Sequence, residues 1–285
     1  MRFSLSKLFN SETNNENDQE DNVGCFRKMT SKLPTCREYV AICLAEVVGT
    51  AMLILFGCMG GIPSVRPNAS DISGALSFGM TVMMIIMVFG HISGAHLNPA
   101  VTIASVVFGS MPALLFPLYL MSQCIGAIIG YAMLKLVTPP ELFEGGLCLT
   151  SVHPGISIWQ GVMVEFLLTS LLILVCCGVW DHRNSHNSDS LPIRFGFAVT
   201  ALSLIGGPYT GCSMNPARTL GPALFNNAWD AHWIYWVGPM LGGVVPTIAY
   251  NMIFSQPNEG NEKGANEKEN SPLQKTEMYK NQMPI

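Results

Sequence analysis

The sequence predicts an all-α membrane protein: six transmembrane helices plus two re-entrant half-helices, laid out as an inverted 3+3 repeat. Three observations predict it. The 285-residue chain is 49% hydrophobic and only 12% charged, whereas a soluble domain carries about 25% charged residues. Long apolar runs recur between short polar segments. The tripeptide Asn-Pro-Ala stands twice, as Asn98-Pro99-Ala100 and Asn215-Pro216-Ala217, each about 50 residues beyond a glutamate embedded in an apolar run.

Taken in order, residues 1–37 are polar, lack the apolar core of a signal peptide and form a cytoplasmic tail. Residues 38–254 form the membrane domain, with one repeat over 38–137 and a second over 156–254. Residues 255–285 are a second polar, cytoplasmic tail. Six spans are expected near Tyr39–Gly61, Gly74–Phe89, Ala113–Val137, Ile156–Trp180, Pro192–Gly206 and His232–Phe254. A helix needs about 20 apolar residues to cross a bilayer. The second and fifth are short, which small residues and tilt accommodate. Gly126, Gly130, Gly242 and Gly243 suit close helix packing. Met80, Met83, Met84 and Met87 follow helical spacing and suit the core or the lipid face.

Basic residues set the orientation. Arg2, Lys7, Arg27, Lys28, Lys32 and Arg37 lie in the first tail, and Arg183 and Arg194 follow span four. The other connections are nearly free of them, apart from Arg66 and Lys135. Both termini therefore face the cytoplasm of a multi-pass cell-membrane protein. Asn68-Ala69-Ser70 becomes an extracellular glycosylation candidate, its occupancy left open.

The repeat carries the functional argument. Glu46 and Glu165 each precede a threonine by four residues, Thr50 and Thr169. Each half has an odd number of spans, so the second copy enters the membrane upside down. Asn is a strong N-cap and Pro suits the first helical turn, so each Asn-Pro starts a helix. The apolar stretches that follow are on the order of 15 Å long, half a bilayer. The Gly-rich segments before them, 90–97 and 206–214, read as irregular. Such backbone survives at membrane depth only inside protein or along a wet cavity. Inverted symmetry brings the two N-termini together at the midplane, each carrying roughly +0.5 elementary charge. Asn98 and Asn215 can then turn amide N–H groups toward one neutral guest. A cation is repelled, and a proton wire is broken at the central water.

Glu46 and Glu165 read as loop-bracing carboxylates that accept backbone N–H groups; proton coupling is the alternative. His91 and His96 read first as satisfied core donors, with a pH gate as the alternative. The nine cysteines do not read as a disulfide framework. Cys43, Cys58, Cys124, Cys176 and Cys177 fall in apolar runs as small core residues. No metal spacing, no cofactor motif and no nucleophile–base constellation appears, so neither a metal site nor an enzyme is expected. There is no basic stripe for nucleic acid.

The segments Ser93–Thr102 and Gly211–Arg218, together with His232–Pro239, resemble the aquaporin, or major intrinsic protein, family across about residues 38–254. The resemblance implies a passive channel, a homotetramer with one pore per subunit, and water and small uncharged polyols as guests within a lipid bilayer. It also implies an outer constriction of four residues. Arg218 follows the second Asn-Pro-Ala, Cys212 lies three before Asn215 and Phe78 lies twenty before Asn98. Ser203, twelve before Asn215, stands where strict water channels of the family have histidine. The smaller side chain implies a wider ring and passage of glycerol and urea. Thr219, Ala223 and the pair Tyr235-Trp236 instead resemble the water-channel branch. The combination resembles the insect entomoglyceroporins. A strict water channel is the alternative; a coupled transporter and a junctional membrane protein without transport are remoter ones.

Overall fold

The computed structural model describes residues 35–62, 70–143 and 146–254. Asn68, Arg66 and nearly all of both tails lie outside the described residues. Eight α-helices follow in chain order: α1 Cys36–Met59, α2 Ser70–Ser93, α3 Pro99–Phe108, α4 Phe116–Val137, α5 Ile158–Trp180, α6 Leu191–Thr210, α7 Pro216–Asn226 and α8 Ile234–Ile253. By length and composition, α1, α2, α4, α5 and α6 are able to cross a membrane. The sixth span, α8, has 20 residues and carries Pro239 and Pro246 inside it.

The two halves begin alike. Thr35 caps α1 and forms a capping box with Glu38, and Ser157 caps α5 and forms one with Gln160. Reciprocal bonds of this kind satisfy two of the N–H groups that a helix start leaves over. The half-helices end alike too, on left-handed residues, Gly109 at φ 90° and Asn227 at φ 50°.

Packing repeats the same correspondence. α1 lies along α4 as α5 lies along α8, and α2 meets α6 across the centre. The half-helices are exchanged: α3 packs on α8 of the other half, and α7 on α4 of the first. Small residues permit these approaches. A Cβ on Gly126 would sit 2.4 Å from the Val47 carbonyl, and one on Gly242 would sit 2.8 Å from the Phe166 carbonyl. Gly221 and Gly243 play the matching part under α7 and α3, with Cβ positions 2.6 Å from the Ala127 carbonyl and 2.7 Å from the Ala100 carbonyl. In lipid, such contact replaces the water-driven burial that joins helices in soluble proteins. Side chains such as Leu136, Phe197 and Met252 are correspondingly exposed and apolar.

Two expectations need correction. α2 and α6 run further than expected, to Ser93 and Thr210. The irregular segments shrink to four residues each before the capping Asn. Glycine and even Pro208 stay helical there because packing outweighs local propensity. The second correction concerns Cys58, which is not a free core thiol. It is joined to Cys148, 90 residues away, in a disulfide.

Candidate functional site

The two short loops before the half-helices have one conformation twice. In the first, Gly94, Ala95 and Leu97 have φ of 83°, 48° and 55°. In the second, Gly211, Cys212 and Met214 have φ of 75°, 48° and 52°. Left-handed backbone at a non-glycine residue costs about 1–3 kcal/mol, so surrounding bonds must hold it.

Two buried carboxylates supply those bonds. Glu46 is fully buried on α1. Its Oε1 accepts from Ser93 Oγ at 2.6 Å and His96 N at 2.9 Å, and its Oε2 accepts from Leu97 N at 2.8 Å and Gln123 Nε2 at 2.8 Å. Glu165 is equally buried on α5. Its Oε1 accepts from Thr210 Oγ1 at 2.6 Å and Ser213 N at 2.9 Å, and its Oε2 accepts from Met214 N at 2.7 Å. Hydrogen bonds to a charged group contribute about 1.5–3 kcal/mol each, enough to offset the strained residues. Tyrosines repeat the symmetry: Tyr119 Oη donates to the Ser93 carbonyl at 2.7 Å, and Tyr235 Oη to the Thr210 carbonyl at 3.0 Å.

The sequence reading missed Ser93, Thr210, Gln123 and Tyr119 as members of this frame. A signal existed for the first two. A hydroxyl residue stands immediately before the loop glycine in both halves, as Ser93-Gly94 and Thr210-Gly211. Gln123 has no counterpart that the repeat would have marked; it joins Glu46 to Thr102, donating to Thr102 Oγ1 at 3.0 Å.

Held this way, the capping residues meet. Asn98 Oδ1 accepts from Ala100 N at 2.8 Å, and Asn215 Oδ1 accepts from Ala217 N at 3.0 Å and Arg218 N at 3.2 Å. Pro99 and Pro216 occupy the first helical turns. Each amide then crosses to the other half. Asn98 Nδ2 donates to the Met214 carbonyl at 2.8 Å, and Asn215 Nδ2 donates to the Leu97 carbonyl at 2.8 Å. One N–H of each NH₂ is spent on this crossing, which leaves one per residue.

Asn98 and Asn215 both line a cavity of about 980 Å³. Its wall includes Gly61 and Cys148 at the disulfide end and Ser188 and Asp189 beyond α5 at the other. Phe78, Ser203, Cys212 and Arg218 line the same cavity. Arg218 is only 7% exposed. Its guanidinium carbon sits 5.1 Å from the centre of the Phe78 ring, and its Nη1 donates to the Cys148 carbonyl at 2.7 Å. Cys212 Sγ lies 3.2 Å from the Leu202 carbonyl. His91 and His96 also line the cavity, and His96 Nδ1 is 3.3 Å from Thr102 Oγ1. Among the described residues no group of His, Cys, Asp or Glu side chains is arranged to hold a metal ion.

Two half-helices joined tip to tip beside a long cavity, inside a bundle of membrane spans, define a multi-pass membrane channel. The sequence profile described as major intrinsic protein matches residues 33–250. The chain is 36% identical over 211 residues to Aquaporin-2 of Rattus norvegicus, covering 74% of this chain and 78% of that one. It is 38% identical over 233 residues to Aquaporin-8 of Mus musculus, covering 79% and 88%. The X-ray structure of the aquaglyceroporin from Plasmodium falciparum superposes with a TM-score of 0.64 at 25% identity, covering 75% of this chain and 96% of that one. The chain belongs to the major intrinsic protein family of membrane channels, the aquaporins.

Proposed function

We propose that the protein conducts water and, through a widened outer ring, glycerol and urea, while excluding protons and ions. One observation carries the reading. The two crossed amides border the same cavity as Arg218, Phe78, Cys212 and Ser203. At the centre, a passing water accepts the remaining N–H of Asn98 and of Asn215 with its two lone pairs. Its own hydrogens then point away along the lumen, so no continuous proton wire passes through. The two helix tips add positive potential that opposes cations.

At the outer ring, Arg218 binds passing oxygen atoms and Phe78, its ring centre 5.1 Å from the guanidinium carbon, offers an apolar face beside it. Ser203 removes the imidazole that would narrow the ring. A polyol with a hydroxyl edge and a carbon edge suits such walls. A strict water channel is the second reading, favoured by Thr219, whose hydroxyl pairs with Ser213 Oγ at 2.6 Å, and by Tyr235-Trp236. The resemblance to family members supports a homotetramer with one lumen per subunit. The basic residues support cytoplasmic termini, and so does the Cys58–Cys148 bond, since disulfides persist on the oxidising side.

Stopped-flow measurement of water, glycerol and urea entry into the same vesicles tests the reading. Glycerol and urea flux above empty controls is expected. The Ser203→His variant is expected to lose glycerol flux by at least about tenfold and water flux by far less, the scale of discrimination that pocket size confers. Wild-type glycerol flux at the level of empty vesicles removes the widened ring.

A further inference from the structure

The Cys58–Cys148 disulfide has no part in the transport reading beyond marking one face of the membrane. Its surroundings give it more to do. Cys58, the penultimate residue of α1, is 1% exposed and packs with Tyr131, Ala217 and Phe78. Its neighbour Gly57 leaves the notch that Phe78 fills, where a Cβ would lie 2.7 Å from the ring. Cys148 lies in the connection between α4 and α5 with φ 66°, and its carbonyl accepts the Arg218 guanidinium. That contact is the one side-chain hydrogen bond of Arg218 among the described residues. The bond between the sulfurs therefore ties the wall behind Phe78 to the carbonyl that holds Arg218. The same connection is otherwise fastened near this point by Tyr131 Oη to the Leu147 carbonyl at 2.9 Å and by Thr150 Oγ1 to Thr219 Oγ1 at 3.1 Å.

We propose that the Cys58–Cys148 disulfide is a positioning device for Arg218: it fixes the Cys148 carbonyl and so keeps the guanidinium against the wall of the lumen. The proposal rests on the reading of Arg218 as a member of the outer ring. A guanidinium has five N–H donors and no acceptor, so it must follow whatever oxygen is offered. With Phe78 on one face and α7 behind, the open volume beside it is the cavity. Once the connection is released, the group leaves the displaced carbonyl and turns toward water in the lumen. The largest solutes meet that obstruction first.

The test uses the full-length protein, reconstituted in liposomes and then reduced, so that folding and insertion precede the cleavage. Dithiothreitol supplies two electrons and two protons, closes into its cyclic disulfide and leaves Cys58 and Cys148 as thiols. Alkylation and peptide mass spectrometry report completeness. Water permeability is expected to fall by roughly two- to fivefold, on the scale of losing one exposed ion pair, and glycerol permeability is expected to fall further. In an Arg218→Val variant, reduction is expected to change neither. Unchanged permeabilities, or a raised glycerol-to-water ratio, after complete reduction of the wild type overturn the positioning role. An equal change in Arg218→Val overturns it too, since the bond then acts as a general staple. If oxidised Arg218→Val keeps the wild-type solute profile, it is the reading of the outer ring that fails instead.

Discussion

The loop-holding carboxylates were the most legible residues in the chain. A glutamate inside an apolar run is costly, and two of them in register with a repeat demand a shared reason. The reason is a set of N–H groups that left-handed loops turn inward, at His96 and Leu97 and at Ser213 and Met214. What the sequence could not reveal is where the Asn amides spend their hydrogens. The acceptors are main-chain carbonyls of the opposite loop, at Leu97 and Met214, and main-chain groups leave no trace in residue identity. Cys148 was illegible for a related reason: the meeting of two thiols 90 residues apart depends on how a loop closes. At this scale the prediction concerns Glu165. Glu165→Gln keeps size but sets an NH₂ group against Met214 N–H or against Ser213 N–H. Leaving one buried donor unmet costs about 1–3 kcal/mol. A correspondingly lower unfolding midpoint in detergent is expected, and a midpoint equal to the wild type would mean that the carboxylate bonds carry no weight.

Among elements, the end of α8 shows how a helix terminus is fastened beyond the membrane. Asp181, just past α5, accepts from Arg183, and its Oδ2 also accepts from Tyr250 Oη at 3.1 Å. Arg183 Nη2 in turn donates to the Phe254 carbonyl at 2.6 Å. The Arg183 hydrogen bonds hold the Asp181 carboxyl well below the usual carboxylate range. A group depressed in the folded state stabilises it above its unfolded value, about 3.9, and that contribution is lost as pH falls through the folded value. Acid well below about pH 3.9 is therefore expected to loosen residues 251–254. Asp181→Asn is expected to do so already at neutral pH, seen as faster amide hydrogen exchange there while α5 keeps its protection. Equal exchange in variant and wild type would dismiss the clasp. Helix ends in general were less legible than helix identity. The Gly-rich stretches around Gly90 and Gly206 read as loop by propensity, and interhelical packing kept them helical. The half-helices were clear because Asn-Pro states a start chemically, with no need of a long apolar run.

For the molecule as a whole, the inverted architecture followed from arithmetic: two similar halves, each with an odd number of spans. The exchange of α3 and α7 between halves did not follow, since nothing in either repeat says which partner its short helix will choose. Orientation carries the prediction at this scale. The disulfide end is expected to face outward. In intact cells, a membrane-impermeant reductant followed by an impermeant thiol label is expected to tag Cys148, the more accessible partner of the bond. Omitting the reductant or substituting Cys58→Ser with Cys148→Ser is expected to abolish that tag. Tagging that requires permeabilised cells would reverse the topology.

The crossed amides have a further consequence. Neither tip can shift without breaking a bond owned by its counterpart, and Ala95, Leu97, Cys212 and Met214 already occupy backbone states that only their surroundings sustain. The hub of such a conduit is stiff by construction, a poor place for a valve. Whatever throttles flow on demand has to work at the two mouths, on connections that yield without unlocking the middle.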